Sequence, residues 1–496
     1  MIAGGGGFRV PLVYRALASG PFAGLVSELV LFDVDPGRLD AITAVLRAMP
    51  LPAGPSPGPS PGGATSGGAS SGGASDAGGT PQGARPPAVR TTTSLPDALR
   101  GAEMVFAAIR PGGTAGRVAD ERVAQDLGLL GQETTGAGGI SYALRTIPEM
   151  LHLAHGMREH CPDAWLINFT NPAGMVTEAL VPILGRKIMG ICDSAGGLVH
   201  RAALAAGVPL PDGRLDGVGY YGLNHLGWLY RLEAAGRDLL PGLLADPAAL
   251  ASFEEGRLFP QPFLAELGAL PNEYLYYYYQ RDSAAAAMRA MATTRGESIH
   301  QQQAGLYPRL AAGGADAYLL WDAARRSREE GYLAEARTHG GQRDEADLAG
   351  GGYERVALAV MRALAGAGDA QLILNTPNSL PADPVPGTSG PAPAPPPQPA
   401  VPGLPPDAVV EVPCAVTPDG AVPLPQSAPG PEQLALLRRV KEVEQLTVRA
   451  ATQGDREAAV EAFGRHPLVD PPGLAAELLA GYERAFPALG ALWRQE

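Results

Sequence analysis

MIAGGGGFRVPLVYRALASGPFAGLVSELVLFDVD, residues 1–35, is the stretch that decides the fold. The glycine run Gly4 to Gly7 precedes a helical pattern, and the apolar run Leu29 to Phe32 ends in Asp33. Glycines at such a turn let a pyrophosphate approach a helix N-terminus, and an acid after the next strand can accept hydrogen bonds from ribose hydroxyls. The order therefore predicts a dinucleotide fold, although a glycine run alone is typical of any tight turn.

The chain downstream keeps alternating between strand and helix patterns. Val105 to Ile109 and Leu166 to Asn168 are apolar runs that read as buried strands, and Gly185 to Cys192 holds a shorter one. This alternation predicts an α/β fold with a Rossmann-type doubly wound parallel sheet over residues 1–197. A mixed α/β domain is expected over residues 198–496. Helices are expected over 141–161, 282–335 and 431–463, and strands over 372–375 and 409–416. Only Met1 to Ala3 precede the glycines, so either the first strand is short or the true start lies upstream.

Composition limits the class of protein. A chain of 496 residues with 45% hydrophobic residues predicts two domains with sizeable cores. Much of the excess of 65 Gly and 49 Pro lies in two segments. We predict a disordered insertion at residues 50–88 and a Pro-rich insertion at residues 381–406.

Charge and cysteine usage exclude several roles. The net charge of −13 argues against nucleic acid as a partner. Three cysteines, an odd number, favour a reducing cytoplasm over a disulfide scaffold. No apolar run is long enough to span a bilayer, so we expect a soluble cytoplasmic protein without a membrane partner.

The stretch from Asp120 to Glu178 combines glycines, polar residues and strand patterns in an unusual way. Glu133 lies among glycines, and the strand after Trp165 runs into the polar turn that contains Asn171. Cys192 and His225 follow two further strand-like segments. Ligands of α/β sheets bind outside the carboxyl ends of the strands. The pattern therefore indicates an enzyme cleft.

Two groups of residues in this cleft allow both a chemical and a structural interpretation. A thiolate and an imidazole from Cys192 and His225 suit a divalent ion such as Mn, Fe, Co, Ni or Zn, although their spacing fits no simple zinc pattern and a buried cysteine is commoner. The tyrosines from Tyr274 to Tyr279 predict a packing cluster in which one phenol beside a cation could act as a base.

Arginines offer candidate sites for an anionic substrate group. Arg110, Arg117 and Arg295 each lie in a glycine-rich or turn-like context. The guanidinium group suits planar and tetrahedral oxyanions, whereas an arginine at the protein surface is the commoner case.

Taken together, the sequence runs resemble glycoside hydrolase family 4, the NAD- and divalent-metal-dependent glycosidases, and most of all its 6-phospho-β-glucosidase branch. The runs are GGGGFRVP, LFDVD, RPGG, GRVADE, GLLGQETTGAGG, ALRTIP, NFTNPAGMVTEA, GIC, YYGLNHL, PNEYLYYY, TRGE, GGGY, LILNT, VVEVPC and HPLVD. They cover nearly the whole chain apart from the two low-complexity segments. The resemblance implies a second domain like that of the lactate and malate dehydrogenases.

The resemblance also implies a mechanism. This family is an exception to the usual two-carboxylate glycosidase chemistry. Hydride transfer from C3 of the sugar to NAD⁺ makes the C2 proton acidic, a base removes that proton, and the C1 substituent leaves. Water then adds at C1 and the ketone is reduced again. The implied substrate is a phosphorylated disaccharide or aryl glucoside, and the implied assembly is a homodimer or homotetramer.

Site residues follow from the resemblance position by position. Cys192 and His225 match the metal ligands, with Mn²⁺ the expected ion, and Tyr274 matches the catalytic base. The remaining matches are Glu133 as the residue that raises the basicity of this tyrosine, Arg117, Asn171 and Arg295 as sugar-phosphate contacts, and Gly4, Gly5, Gly6, Gly7 and Asp33 as the cofactor site.

The sequence departs from the β-specific pattern after the metal cysteine, where Asp193 stands in place of Asn. An acid there is typical of the α-specific branch, in which it resembles a proton donor to the leaving group. A 6-phospho-α-glucosidase is therefore one alternative. Alternatives of another class are a 2-hydroxy-acid dehydrogenase and a non-catalytic nucleotide-sensing protein.

Overall fold

The computed structural model describes residues 1–51, 85–211, 213–331, 352–380 and 398–493. Its strands are β1 Ile2–Ala3, β2 Glu28–Phe32, β3 Ala88–Thr92, β4 Met104–Ala107, β5 Trp165–Asn168, β6 Ile188–Gly190, β7 Val218–Leu223, β8 Leu226–Ala234, β9 Arg237–Asp238, β10 Leu270–Pro271, β11 Ala370–Pro377, β12 Val409–Thr417 and β13 Gly420–Pro423. The first helices are α1 Val10–Ala18, α2 Pro36–Ala48, α3 Leu95–Leu99, α4 Gly113–Asp126, α5 Gly136–His160, α6 Ala173–Leu184, α7 Ser194–Ala205, α8 Leu240–Ala245, α9 Pro247–Ala251, α10 Glu254–Leu258 and α11 Gln261–Leu267. The later helices are α12 Tyr276–Tyr279, α13 Arg281–Ala290, α14 Arg295–Ala312, α15 Ala317–Glu330, α16 Tyr353–Leu364, α17 Pro431–Gln453, α18 Arg456–Arg465, α19 Ala475–Ala485 and α20 Pro487–Leu492.

Six parallel strands form the first half of the main sheet, in the spatial order β3-β2-β1-β4-β5-β6. This is the order of a Rossmann dinucleotide fold, in which the ligand crevice opens where the order reverses between β1 and β4. The two-residue β1 pairs with both neighbours, since Ile2 lies opposite Leu31 on one side and Phe106 on the other. The predicted doubly wound sheet is confirmed.

The second half of the sheet is antiparallel and continues directly from β6. Its order is β6-β11-β12-β7-β8-β10. The longest pairing is β11 with β12, which run side by side from Ala370–Val416 to Pro377–Val409. The sheet therefore passes without a break from the parallel part into the mixed α/β part, and the fold class predicted from the sequence is confirmed.

The C-terminal helices return to the parallel half of the sheet. α17 packs against α5 and α6, and α19 packs against α4. The prediction of a single helix over 431–463 is wrong, because α17 ends at Gln453 and α18 begins at Arg456. Gly454 adopts a left-handed φ of 68°, and the Asp455 side chain caps α18 by accepting from the Ala458 amide at 2.9 Å. A glycine C-cap followed by an acidic N-cap is a local signal for two helices.

The predicted insertions lie largely outside the described residues. Residues 52–84 and 381–397 belong to these undescribed parts of the chain. The end of the second segment, residues 398–406, is described and packs into the core, where Val401 and Leu404 are buried. The Asn378 side chain accepts from the Val401 amide at 2.7 Å and donates to the Leu404 carbonyl at 3.2 Å. No helix within the described ranges is long and apolar enough to cross a membrane.

A buried carboxylate lies on β12, one strand beyond the junction of the two halves of the sheet. Glu411 in β12 lies opposite Asn375 of β11 and Gly222 of β7, and Asn375 also pairs with Gly190 of β6. The Glu411 carboxylate accepts from the Tyr220 hydroxyl at 3.1 Å and from the Asn375 side-chain amide at 3.2 Å. Burial outweighs these hydrogen bonds and raises the pKa of Glu411 to about 7.

Glu411→Gln is expected to flatten the pH dependence of stability. The unfolded chain loses this proton near its ordinary pKa of 4.5, whereas the folded protein keeps it until about 7. The unfolded state therefore binds fewer protons within that window, and wild-type stability falls by roughly 3 kcal/mol through this group as the pH rises. Denaturant unfolding at pH 5 and pH 8 measures the difference. Glu432→Gln, at an exposed position of α17, is the control, and an unchanged pH dependence in Glu411→Gln would contradict the assignment.

Candidate active site

The glycine turn after β1 is closely packed on every side. The Gly4 and Gly5 amides both donate to the Phe32 carbonyl, at 2.9 and 2.7 Å. A Cβ atom on Gly4 would lie 2.6 Å from the Ala108 carbonyl oxygen, and one on Gly5 would lie 2.7 Å from the Leu31 Cβ. Only glycine therefore fits here, as expected where backbone and ligand approach closely.

Asp33 closes the turn from the end of β2. Its Oδ2 accepts from the Gly6 amide at 3.0 Å, and its Oδ1 accepts from the Asp35 amide at 3.1 Å. Two backbone donors thus fix the orientation of the carboxylate at the position where a Rossmann fold binds ribose hydroxyls. The glycine turn and the acid after β2, which the sequence pattern predicts to lie together, are therefore in direct contact in the structure.

An arginine–glutamate network lines the main cleft. Glu133 forms ion pairs of 2.6 Å with both Arg110 and Arg117. Arg117 also pairs with Glu121 at 2.8 Å, and the second oxygen of Glu121 accepts from the Gly296 amide at 2.8 Å. Burial alone would raise the pKa of Glu133, but the two guanidinium groups lower it to about 2. Glu133 is therefore a fixed anion of the cleft at ordinary pH.

His225 and Tyr274 form the wall between two adjoining hollows. Their rings stack with centroids 3.8 Å apart and an angle of 12° between the planes. Tyr274 faces the cleft that Arg117, Glu133 and Arg295 also line, whereas His225 lines a second hollow together with Thr134. The structure therefore brings together five of the residues predicted from the sequence.

The local geometry of His225 is unusual. It is the second residue of the two-residue connection between β7 and β8, and its φ of 65° is rare for a residue with a side chain. The ring is buried, and within the described residues Nδ1 has no hydrogen-bond partner. Burial lowers the pKa of His225 to about 3, so its imidazole is neutral. A neutral buried imidazole with an unused nitrogen is what a metal ligand requires.

Cys192 follows β6 and is also buried. Burial, together with the charges of Glu411 and Asp193, raises the pKa of its thiol well above the ordinary value. Asn224, the neighbour of His225, donates to Glu411 at 3.4 Å. Glu411 therefore contacts the segment of one predicted ligand and acts electrostatically on the other. The described residues hold no cluster of three or more His, Cys, Asp or Glu side chains suited to a metal ion.

The remaining predicted residues lie at the ends of neighbouring elements. Asn171 follows β5, and its side-chain oxygen is enclosed without a hydrogen-bond partner in the described part of the chain. Arg295 begins α14 and donates to the carbonyl oxygens of Gly331 and Arg328. Asp193 precedes α7 and is half-buried.

Sequence reasoning missed the residues that support this site. Glu121 had a signal, because Arg117 and Glu121 stand four residues apart on one helix, the spacing of an intrahelical ion pair. Glu411 and Asn375 lie in the runs VVEVPC and LILNT, but a single carboxylate or amide in a strand pattern carries no local signal of a role.

Comparison with known proteins identifies relatives of this chain. The chain is 28% identical over 407 residues to a 6-phospho-beta-glucosidase of Escherichia coli, with 79% of this chain and 80% of that protein covered. It is 40% identical over 154 residues to 6-phospho-alpha-glucosidase 1 of Lacticaseibacillus paracasei, which covers 31% of this chain and only about a third (34%) of that relative.

A solved structure shares the whole fold. The 6-phospho-beta glucosidase of Thermotoga maritima, solved with manganese, NAD⁺ and glucose-6-phosphate, superimposes with a TM-score of 0.70 at 22% identity and covers 98% of each chain. The model of the family 4 glycosyl hydrolases matches residues 80–207, and the model of their C-terminal domain matches residues 220–469. The chain therefore belongs to glycosyl hydrolase family 4.

Proposed function

We propose that this protein hydrolyses 6-phospho-β-glucosides with NAD⁺ and a divalent metal such as Mn²⁺. The observation that carries the proposal is the stack of Tyr274 on His225 at 3.8 Å, beside a cleft that Arg117 and Arg295 line. This arrangement sets a phenol next to a metal-type imidazole and within the same cleft as two candidate phosphate-binding cations. Such a set suits removal of a sugar proton, which ordinary two-carboxylate hydrolysis does not need.

The cofactor would bind at the glycine turn. Gly4 to Gly7 would lie under the pyrophosphate, and Asp33 would accept from a ribose hydroxyl with a carboxylate that two amides already orient. When bound, NAD⁺ supplies the reversible oxidation of the sugar at C3. The close packing of the turn supports the assignment, since a Cβ at Gly4 or Gly5 would collide with neighbouring backbone or side-chain atoms.

The metal would be held by Cys192 and His225. Thiolate and imidazole suit a borderline divalent ion, and two protein ligands leave coordination positions open for substrate oxygens and water. The metal supplies charge stabilisation beside the sugar oxygens. Metal binding would also keep Cys192 deprotonated as a thiolate, although burial raises the pKa of the free thiol.

The side chains of the cleft then have distinct tasks. Tyr274 removes the C2 proton, while Arg117, Asn171 and Arg295 bind the sugar phosphate. Glu133 favours proton transfer to Tyr274 as a fixed negative charge, and Arg110 and Arg117 hold that charge in place. Relatives and solved neighbours that act on 6-phosphoglucosides support this substrate class.

Asp193 supports a second candidate, the hydrolysis of 6-phospho-α-glucosides. The carboxylate acts on the Cys192 thiol and on Tyr353, so it lies beside the site and could protonate a leaving group. The 40% identity to an α-specific relative over 154 residues favours the same specificity. A 2-hydroxy-acid dehydrogenase would instead accumulate NADH.

The substrate, location and assembly belong to the same proposal. The substrate would be a phosphorylated disaccharide or an aryl glucoside, delivered by a phosphotransferase uptake system. Three buried free cysteines suit a reducing cytoplasm. A homodimer or homotetramer, with domains at residues 1–197 and 198–496, is the expected organisation.

Paired p-nitrophenyl α- and β-glucoside 6-phosphates test the reaction. With NAD⁺, Mn²⁺ and a reductant, we expect the β-anomer to be cleaved faster, and no cleavage when either NAD⁺ or metal is left out. The unphosphorylated glucosides serve as the control for phosphate recognition. Faster cleavage of the α-anomer would select the second candidate, and metal-independent cleavage without NAD⁺ would refute the mechanism.

Tyr274→Phe is expected to abolish most exchange of the C2 proton with solvent and to lower kcat roughly 10²- to 10⁴-fold, the usual contribution of a general base. The variant keeps the ring and hence the stack on His225. Deuterium exchange into a bound sugar phosphate, followed by NMR, gives the readout. Tyr277→Phe, in the same cleft, is the matched control. Unchanged exchange in Tyr274→Phe would assign the base to another residue.

Cys192→Ser should weaken Mn²⁺ binding by roughly tenfold or more, because a neutral hydroxyl would replace a negatively charged thiolate. Titration calorimetry with Mn²⁺ measures this directly, independently of turnover. Cys161→Ser removes a second buried cysteine, located at the end of α5, and should leave the affinity unchanged. Equal Mn²⁺ affinity in wild type and Cys192→Ser would exclude the cysteine as a ligand.

A further inference from the structure

Arg328, near the end of α15, differs from the other arginines of its helix. Arg325 pairs with Asp322 at 2.8 Å and with Glu329 at 2.6 Å, and Arg326 pairs with Asp322 at 2.9 Å. For Arg328, the Nη1 atom is enclosed, yet it has no hydrogen-bond partner among the described residues. The helix therefore carries two neutralised guanidinium groups and a third whose Nη1 is buried without a hydrogen-bond partner in the described part of the chain.

The position of Arg328 links the glycine turn to the substrate cleft. Its guanidinium carbon lies 4.4 Å from the ring centroid of Phe8, which directly follows the glycine turn. The Phe8 carbonyl accepts a hydrogen bond of 2.8 Å from the indole of Trp321, which lies on α15 together with Arg328. On the other side, Arg295 donates to the Arg328 carbonyl at 3.3 Å. α15 is thus anchored at both the cofactor side and the substrate side.

The charges around Arg328 are mainly of its own sign. Burial, followed by repulsion from Arg9, Arg117 and Arg295, lowers the pKa of Arg328 to about 9. Enclosing a cation among other cations is unfavourable unless an anion compensates it. In a chain whose net charge is −13, such a concentration of positive charge is a local feature that the overall composition does not explain.

We propose that Arg328 binds a phosphoryl group of a ligand, beside Arg9 and Arg295. The guanidinium group matches a tetrahedral oxyanion and gains strength from paired, charge-assisted hydrogen bonds. The inference rests on the proposed function, which provides two sources of this chemistry. One is the 6-phosphate of the sugar on the Arg295 side, and the other is the pyrophosphate of the dinucleotide on the Phe8 side.

Binding measurements without turnover test the assignment. The full chain is titrated calorimetrically with glucose 6-phosphate, glucose and NAD⁺, each with wild type, Arg328→Gln, Arg328→Lys and Arg326→Gln. Arg328→Gln is expected to weaken binding of glucose 6-phosphate or NAD⁺ roughly tenfold to a hundredfold, the usual effect of losing a hydrogen bond to a charged group. The ligand affected identifies the source of the phosphate. Arg328→Lys should bind with intermediate affinity, and Arg326→Gln should match wild type.

Thermal unfolding separates a binding role from a structural one. Without ligand, Arg328→Gln should keep or raise the wild-type Tm, because it removes a half-buried cation whose enclosed Nη1 has no hydrogen-bond partner among the described residues. A lowered Tm together with unchanged affinities for glucose 6-phosphate and NAD⁺ would overturn the proposal, as would unchanged affinities at the wild-type Tm. A wild-type protein that binds glucose 6-phosphate through Arg328 but cleaves no glycoside would refute the proposed reaction and leave this site in place.

Discussion

The buried carboxylate of Glu411 is the contact on which the geometry of the site depends. It lies on β12, one strand beyond the junction between the parallel and antiparallel halves of the sheet. It bonds Tyr220 and Asn375 from the two strands that flank β12, and Asn224 from the turn after β7. Asn224 precedes His225, and Asn375 pairs with Gly190, two residues before Cys192. A change in this contact would therefore move both predicted metal ligands, although neither of them touches the carboxylate through a hydrogen bond that the structure shows.

The cleft combines two different electrostatic environments, one around Glu133 and one around Arg328. Around Glu133, each charge is compensated, since Arg110 and Arg117 surround the carboxylate and Glu121 takes up the second cation. At Arg328, repulsion from other arginines acts on a guanidinium group whose Nη1 has no hydrogen-bond partner among the described residues. A balanced network holds its shape without a ligand, whereas an unbalanced one lowers its energy when an anion arrives. Under the proposed function, the site would be rigid around the proposed base Tyr274 and would attract a phosphate at Arg328.

The sequence predicts well what local patterns encode. The glycine turn, Asp33 and the strand alternation follow from periodicity and turn chemistry, and they lead to the observed sheet order. The family resemblance adds His225 and Tyr274, whose contact at 3.8 Å joins segments 49 residues apart. The contacts of Glu411 and Arg328 could not be predicted from the sequence. A buried charge is recognised only by the partners that surround it, and those come from distant strands and helices. The capping rules could have predicted that the helical region divides into two helices at Gly454.

The position of Asp193 shows how far such reasoning extends toward specificity. The family resemblance associates an acid at position 193 with the α-specific branch, and the runs NFTNPAG and GLNHL with the β-specific branch. The two proposed reactions use the same base and the same metal ligands of this chain, so we place the difference in which face of the anomeric carbon a proton donor can reach. Asp193 acts electrostatically on Cys192 and Tyr353, which sets it on the side of the proposed metal ligand Cys192. A donor on that side acts only on a leaving group that departs toward it, and the orientation of the bound phosphate decides whether the α- or the β-linked group does so.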